Sequence, residues 1–112
     1  MVGILQITAA LATVVTGLYS LVFPMKVREF TGLELPGGRG VTEVRAILGG
    51  FFVALGAAPL IFGSQDMYLM LGFAYLVVAV VRFASMFIDR SMVKSNYISL
   101  VTEVFLGIIL IL

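Results

Sequence analysis

Arg82 and Glu103 are the residues of this chain most open to chemistry, because each falls inside a long apolar run. Arg82 stands seven residues before Asp89, and Glu103 six residues after Tyr97. Arg45, with Glu43 two residues ahead of it, opens a third apolar run. A charged side chain facing lipid is costly, so intramembrane charges turn inward and pair. At the helical rise, Arg82 and Glu103 both lie about 9–10 Å inside one boundary of the apolar layer, and Arg45 about 5 Å inside it. These depths predict an Arg45–Arg82–Glu103 cluster with Glu43 and Asp89 at its wet edge. Tyr19 and Ser20, at compatible depth, are candidate hydrogen-bonding neighbours. Arginine suits such a site because its planar fork binds a carboxylate through two hydrogen bonds and does not deprotonate.

Two readings of the cluster stand side by side. In one, it is a structural ion-pair network that fixes helix register. In the other, two arginines against one buried glutamate leave a positive surplus that holds an anionic headgroup, a fatty-acid carboxylate or another small acid. Glu43 decides between them, since it can complete the neutralisation.

The elements that must position these residues follow from composition. The chain has 112 residues, of which 62% are hydrophobic and 12% charged, and its mean hydropathy is +1.19. A soluble domain carries about twice that share of charge. The polar surface needed to cover a water-soluble globule is missing, and so is the polarity of a disordered chain. The fold class expected is all-α, an integral membrane four-helix bundle forming a single transmembrane domain over residues 1–112.

The apolar runs place spans at about residues 3–23, 42–62, 67–88 and 93–112. The first three match the roughly 20 residues a bilayer requires. The fourth reaches that length only if it starts near Val93. The first run has no positively charged residues ahead of it and exceeds a signal-peptide core, so it reads as a retained span. Lys26, Arg28 and Arg39 lie between spans one and two, and Arg90 and Lys94 between spans three and four. The connection Gly63-Ser64-Gln65-Asp66 has no basic residue. By the positive-inside rule both long loops face the cytoplasm and both termini face out.

The loop over residues 24–41 interleaves Lys26, Arg28 and Glu29 with Met25, Val27 and Phe30, a pattern for a short amphipathic segment in the headgroup region. Pro36-Gly37-Gly38-Arg39-Gly40 reads as a turn. Span two carries small residues at every fourth position, Ala46, Gly50, Ala54 and Ala58, the spacing of a helix-packing face, and Gly49, Gly56 and Ala57 widen that face. Pro59 should kink or end that helix. Thr8, Thr13 and Thr16 can bond back to their own backbone. Val41-Thr42-Glu43-Val44 is echoed by Val101-Thr102-Glu103-Val104.

The chain resembles a family of small four-helix bacterial membrane proteins known only as a domain of unknown function, loosely similar to the DoxX-like group. The resemblance rests on Val22-Phe23-Pro24 closing span one and on Glu43-Val44-Arg45-Ala46-Ile47-Leu48-Gly49-Gly50 opening span two. Ala54-Leu55-Gly56 follows, with an arginine in span three (Arg82) and a glutamate in span four (Glu103). It implies a four-helix bundle in the bacterial inner membrane and no settled activity.

The absences narrow function. There is no Cys and no His, so thiolate, sulfur-metal and imidazole chemistry are excluded. No nucleophile elbow, metal-ligand set or phosphate loop is present. The expectation is a non-enzyme with no cofactor and no metal. A net charge of +1 gives no basic stripe for nucleic acid. Span one has no acid, which sets the chain apart from small multidrug exchangers that use a glutamate there. The partners expected are the lipid bilayer and other membrane subunits or further copies of the chain. Two functions remain: an accessory or assembly subunit docking on a larger membrane complex, or a binder or carrier of a lipid or small anionic ligand at the Arg/Glu cluster.

Overall fold

A computed structural model describes residues 3–112; Met1 and Val2, part of the uncharged start of span one, lie outside the described residues. The chain forms α1 (Ile4–Val22), α2 (Pro24–Thr31), α3 (Gly37–Phe62), α4 (Gln65–Ile88) and α5 (Lys94–Ile111). All except α2 are long and apolar enough to cross a membrane. The described regular structure is helical throughout, which fits an all-α integral membrane bundle.

Helix boundaries follow local chemistry. Pro24 occupies the first turn of α2, where a missing N–H costs nothing. Gly32 at φ 78° and Gly63 at φ 70° end α2 and α3 in the left-handed region. The segment expected as a turn instead begins α3: Pro36 is its N-cap, and the helix runs on from Gly37. Arg39 and Glu43 form an (i, i+4) ion pair along that first stretch, which supports an otherwise glycine-rich start. Between Val44 and Phe51 the backbone widens to π-helical i→i+5 bonding. Pro59 sits buried one turn before the end of α3, and the helix continues past it to Phe62.

Four antiparallel spans assemble as two close pairs. In α1–α3, a Cβ on Gly17 would come within 2.6 Å of the Val53 nitrogen and 2.7 Å of the Gly49 oxygen. A Cβ on Gly56 would lie 2.6 Å from the Ala10 oxygen. Backbone therefore rests on backbone along this seam, the close approach that membrane helices use in place of a hydrophobic force. In α4–α5 the same device appears once, where Gly72 and Gly107 face each other.

The stripe Ala46, Gly50, Ala54 and Ala58 does not form the α3 packing face: the first three are exposed and Ala58 is half-buried. The physical reason is that glycines permit a closer fit than alanines. Gly49 and Gly56, seven apart and both buried, take the seam and turn the alanine stripe away from α1.

The two pairs join at the end that holds the Gly63 turn. Ala9, Ala10, Tyr68, Leu71 and Leu110 form the buried core there. Gln6 ties α1 to α5 by donating from Nε2 to the Ile109 carbonyl at 3.0 Å. One helical turn or two deeper, Thr13 and Tyr75 share a 2.6 Å hydrogen bond. Thr13 gives its single proton to the Ala9 carbonyl, so the Tyr75 hydroxyl is the donor between them. Beyond this point, toward the end that carries α2, the pairs separate and the polar site begins.

Candidate functional site

Arg82 and Glu103 meet as a two-pronged ion pair. Arg82 Nε donates to Glu103 Oε1 at 2.8 Å, and Nη2 donates to Oε2 at 2.7 Å. Nη1 donates to Asn96 Oδ1 at 3.0 Å, and Asn96 Nδ2 in turn donates to the Ser91 carbonyl at 2.8 Å. The glutamate side chain is 11% exposed and the arginine 31%. The pair thus has a buried acid and a base whose far side stays reachable.

Helix geometry explains the meeting. Asn96 and Glu103 are seven residues apart on α5 and so share a face after two turns. Arg82 lies on the α4 face that also carries Tyr75, again seven residues away. Antiparallel packing through Gly72 and Gly107 sets both faces opposite each other. Glycines bring the helices together at one end, and the Arg82 side chain joins them at the other.

Arg45 and Glu43 do not join this cluster. Glu43 is exposed and paired with Arg39 on the same helix. Arg45 is exposed and makes no ion pair among the described residues. The cause lies in the rotation of α3. Val44 and Gly49 face inward against α1, five residues apart, the spacing that π-helical bonding brings onto one face. Arg45, the next residue after Val44, is carried round toward the outside. The surplus positive charge expected from two buried arginines is therefore absent. Arg82 and Glu103 neutralise each other, and Asp89 adds one negative charge at the rim. The echoed Val-Thr-Glu-Val segments also end in opposite settings, Glu43 on the surface and Glu103 buried.

Arg82 lies in the walls of two cavities, and Glu103 lines one of them. One, of about 250 Å³, lies between the helix pairs under α2. It is lined by the hydroxyl residues Thr16, Tyr19, Ser20 and Thr31, by apolar Val27, Leu48, Phe30 and Phe52, and by Arg82 and Glu103. Tyr19 and Ser20 thus stand at the site as their depth implied, although the Ser20 hydroxyl bonds its own helix at the Thr16 carbonyl. The other cavity, of about 430 Å³, opens along α4 past Arg82 to Ser85, Asp89, Ser91 and Asn96. Asp89 is at the wet edge, as expected.

Thr8, Thr13 and Thr16 each donate to the carbonyl four residues back, so Thr8 and Thr16 need no further partner. Asn96 and the Thr13–Tyr75 bridge were not anticipated. Asn96 carries a readable signal, its two-turn spacing from Glu103. The bridge carries none, because its partners lie on helices not adjacent in sequence. Comparison with protein families, with curated proteins and with solved structures finds no match for the chain.

Proposed function

We propose that this chain is a non-catalytic protein of the bacterial inner membrane that holds an amphiphilic lipid at the Arg82–Glu103 pair. The observation that carries this reading is the placement of the ion pair in a cavity wall. The spans bury one other set of linked polar side chains, Thr13 and Tyr75, and those satisfy each other. An apolar cavity with a few converging polar groups is the usual form of a small-molecule site. The neutrality of the pair argues for a lipid head over a small free acid. The orientation stays as the charge asymmetry sets it: α2 and the Asp89–Val93 turn in the cytoplasm, both ends outside. The likeness to the uncharacterised, loosely DoxX-like family belongs to this reading and adds no activity to it.

The second reading, an accessory or assembly subunit, has one observation in its favour. The stripe Ala46–Gly50–Ala54 stays exposed, and small residues at this spacing suit docking of another helix.

Native mass spectrometry of the protein extracted in mild detergent tests both. The expected result is a small assembly carrying a defined extra mass, lost in the double variant Arg82→Met with Glu103→Leu. Equal retention in the double variant rejects the site. Migration at fixed stoichiometry within a larger complex, with no extra mass, establishes the subunit reading instead.

A further inference from the structure

From the course of the cavities along α4 and the order of charges at their mouth, we infer that the bound lipid is a phospholipid whose head ends in an ammonium group. The inference rests on the reading of Arg82–Glu103 as a binding site and names what that site takes. Three cavities follow one face of α4 and share lining residues. The first, of about 330 Å³, lies between Pro59 and Met70 and shares Leu55, Leu71 and Ala74 with the second. The second, of about 160 Å³, shares Val78 with the cavity at Arg82. Together they make a groove, open sideways, with α3 as the far wall of the first two cavities and the start of α5 beside the third. Up to Arg82 its lining is apolar apart from the Thr13 and Tyr75 hydroxyls, which bond each other, and at Arg82 it turns polar. The stretch from Ala74 to Arg82 covers about 12 Å at the helical rise, room for an extended run of an acyl chain.

The polar end has a definite charge order. Arginine has five N–H bonds, and Arg82 uses three of them on Glu103 and Asn96. Two N–H bonds remain for an acceptor. Asp89 lies two turns farther out on the same face, exposed and without an ion pair among the described residues. Moving outward, the groove thus offers an apolar wall, then hydrogen-bond donors, then a free carboxylate. A phospholipid with an ammonium-capped head presents the complement in the same order: acyl chain, phosphate, cation. An anionic lipid matches the first two and has no cation to offer Asp89. Arg90 and Lys94 stand in the same turn but do not line the cavity, so a fatty-acid carboxylate, which brings no cation, leaves Asp89 unmatched.

Delipidated protein is titrated with phosphatidylethanolamine and with phosphatidylglycerol of matched chains, and bound lipid is counted by native mass spectrometry. Wild type should bind one phosphatidylethanolamine, with roughly tenfold preference over phosphatidylglycerol, the scale of one charge-assisted hydrogen bond. Asp89→Asn should abolish the preference and keep binding. Ala74→Phe, at an exposed groove position, should remove both lipids while circular dichroism shows the helices retained. Equal binding of the two lipids by wild type overturns the inference, as does unchanged binding by Ala74→Phe. A homodimer mass in place of lipid overturns it too and assigns the groove to a second copy. These failures leave the Arg82–Glu103 site standing if the double variant Arg82→Met with Glu103→Leu still loses its ligand. Retention of phosphatidylethanolamine by that double variant defeats the site itself.

Discussion

The α1–α3 pair and the α4–α5 pair hold their helices together by different means. Along α1–α3, Gly17, Gly49 and Gly56 bring backbone against backbone over several turns, and no side-chain hydrogen bond among those described links the two helices. In α4–α5 the glycine contact is confined to one end, at Gly72 and Gly107. The other end is held by Arg82, Glu103 and Asn96. A glycine seam is cheap and tight, but it leaves no room between the helices and no group for a ligand to address. The ion pair instead sets charged groups in the walls of the cavities beside α4 and α5. The difference teaches that the addressable polar groups of this bundle sit where directional bonds join its helices.

Removing one member of the ion pair breaks the comparison most strongly. Glu103→Ala leaves Arg82 charged and partly buried with no carboxylate. The expected loss is about 3–5 kcal/mol, the usual cost of an uncompensated buried charge. Replacing both residues, Arg82→Met with Glu103→Leu, should restore most of that stability, because buried pairs and apolar substitutes of similar volume are close to equivalent. Unfolding of the purified protein by increasing denaturing detergent measures both. A single variant no weaker than the double would show that the pair contributes no more than its apolar volume.

The glycine seam breaks with a smaller penalty. Gly17→Ala places a methyl within 2.6–2.7 Å of backbone atoms of α3, and backbone cannot swing aside as a side chain can. The expected cost is about 1–3 kcal/mol, the range for overpacking. Gly107→Ala meets chiefly the Leu76 side chain, at 2.6 Å, which can rotate away. It should cost less than Gly17→Ala in the same detergent assay. Reversal of that order would place the tighter seam in α4–α5.

How far the sequence discloses this arrangement depends on the kind of information each part needs. Spans are readable because length and apolarity are properties of a segment alone. The Arg82–Glu103 pair is readable because a charge in an apolar run must find an opposite charge at its own depth, and depth is a count of residues. Arg45 defeats the same arithmetic because burial also depends on azimuth, and α3 turns on the fit of Gly49 and Gly56 against α1. The alanine stripe fails for that reason as well. Small residues at every fourth position mark a smooth face, while the partner helix settles on the deeper notch. The start of α3 at Gly37 is hidden by a Pro-Gly-Gly segment that reads locally as a turn. The Thr13–Tyr75 bridge requires knowing which helix lies across from which, and the groove along α4 is lined before Arg82 mainly by residues that any apolar span carries.

The finest test of the comparison uses two adjacent residues on α3. Gly49 is buried, and a Cβ there meets Leu21 at 3.0 Å. Gly50 is exposed, and a Cβ there finds only its own helix, at 3.9 Å from the Arg45 oxygen. Gly50→Ala therefore adds helix propensity without a clash. It should stabilise the protein by about 0.5–1 kcal/mol, the difference between alanine and glycine inside a helix. Gly49→Ala gains the same propensity but must displace α1, and its net effect should be a loss. The two variants have identical composition and differ only in which side of α3 carries the methyl, so propensity cancels between them and only the seam remains. A loss of stability in Gly50→Ala, with no change of oligomeric state, would move the α1–α3 contact onto the alanine stripe and bring Arg45 round toward the site.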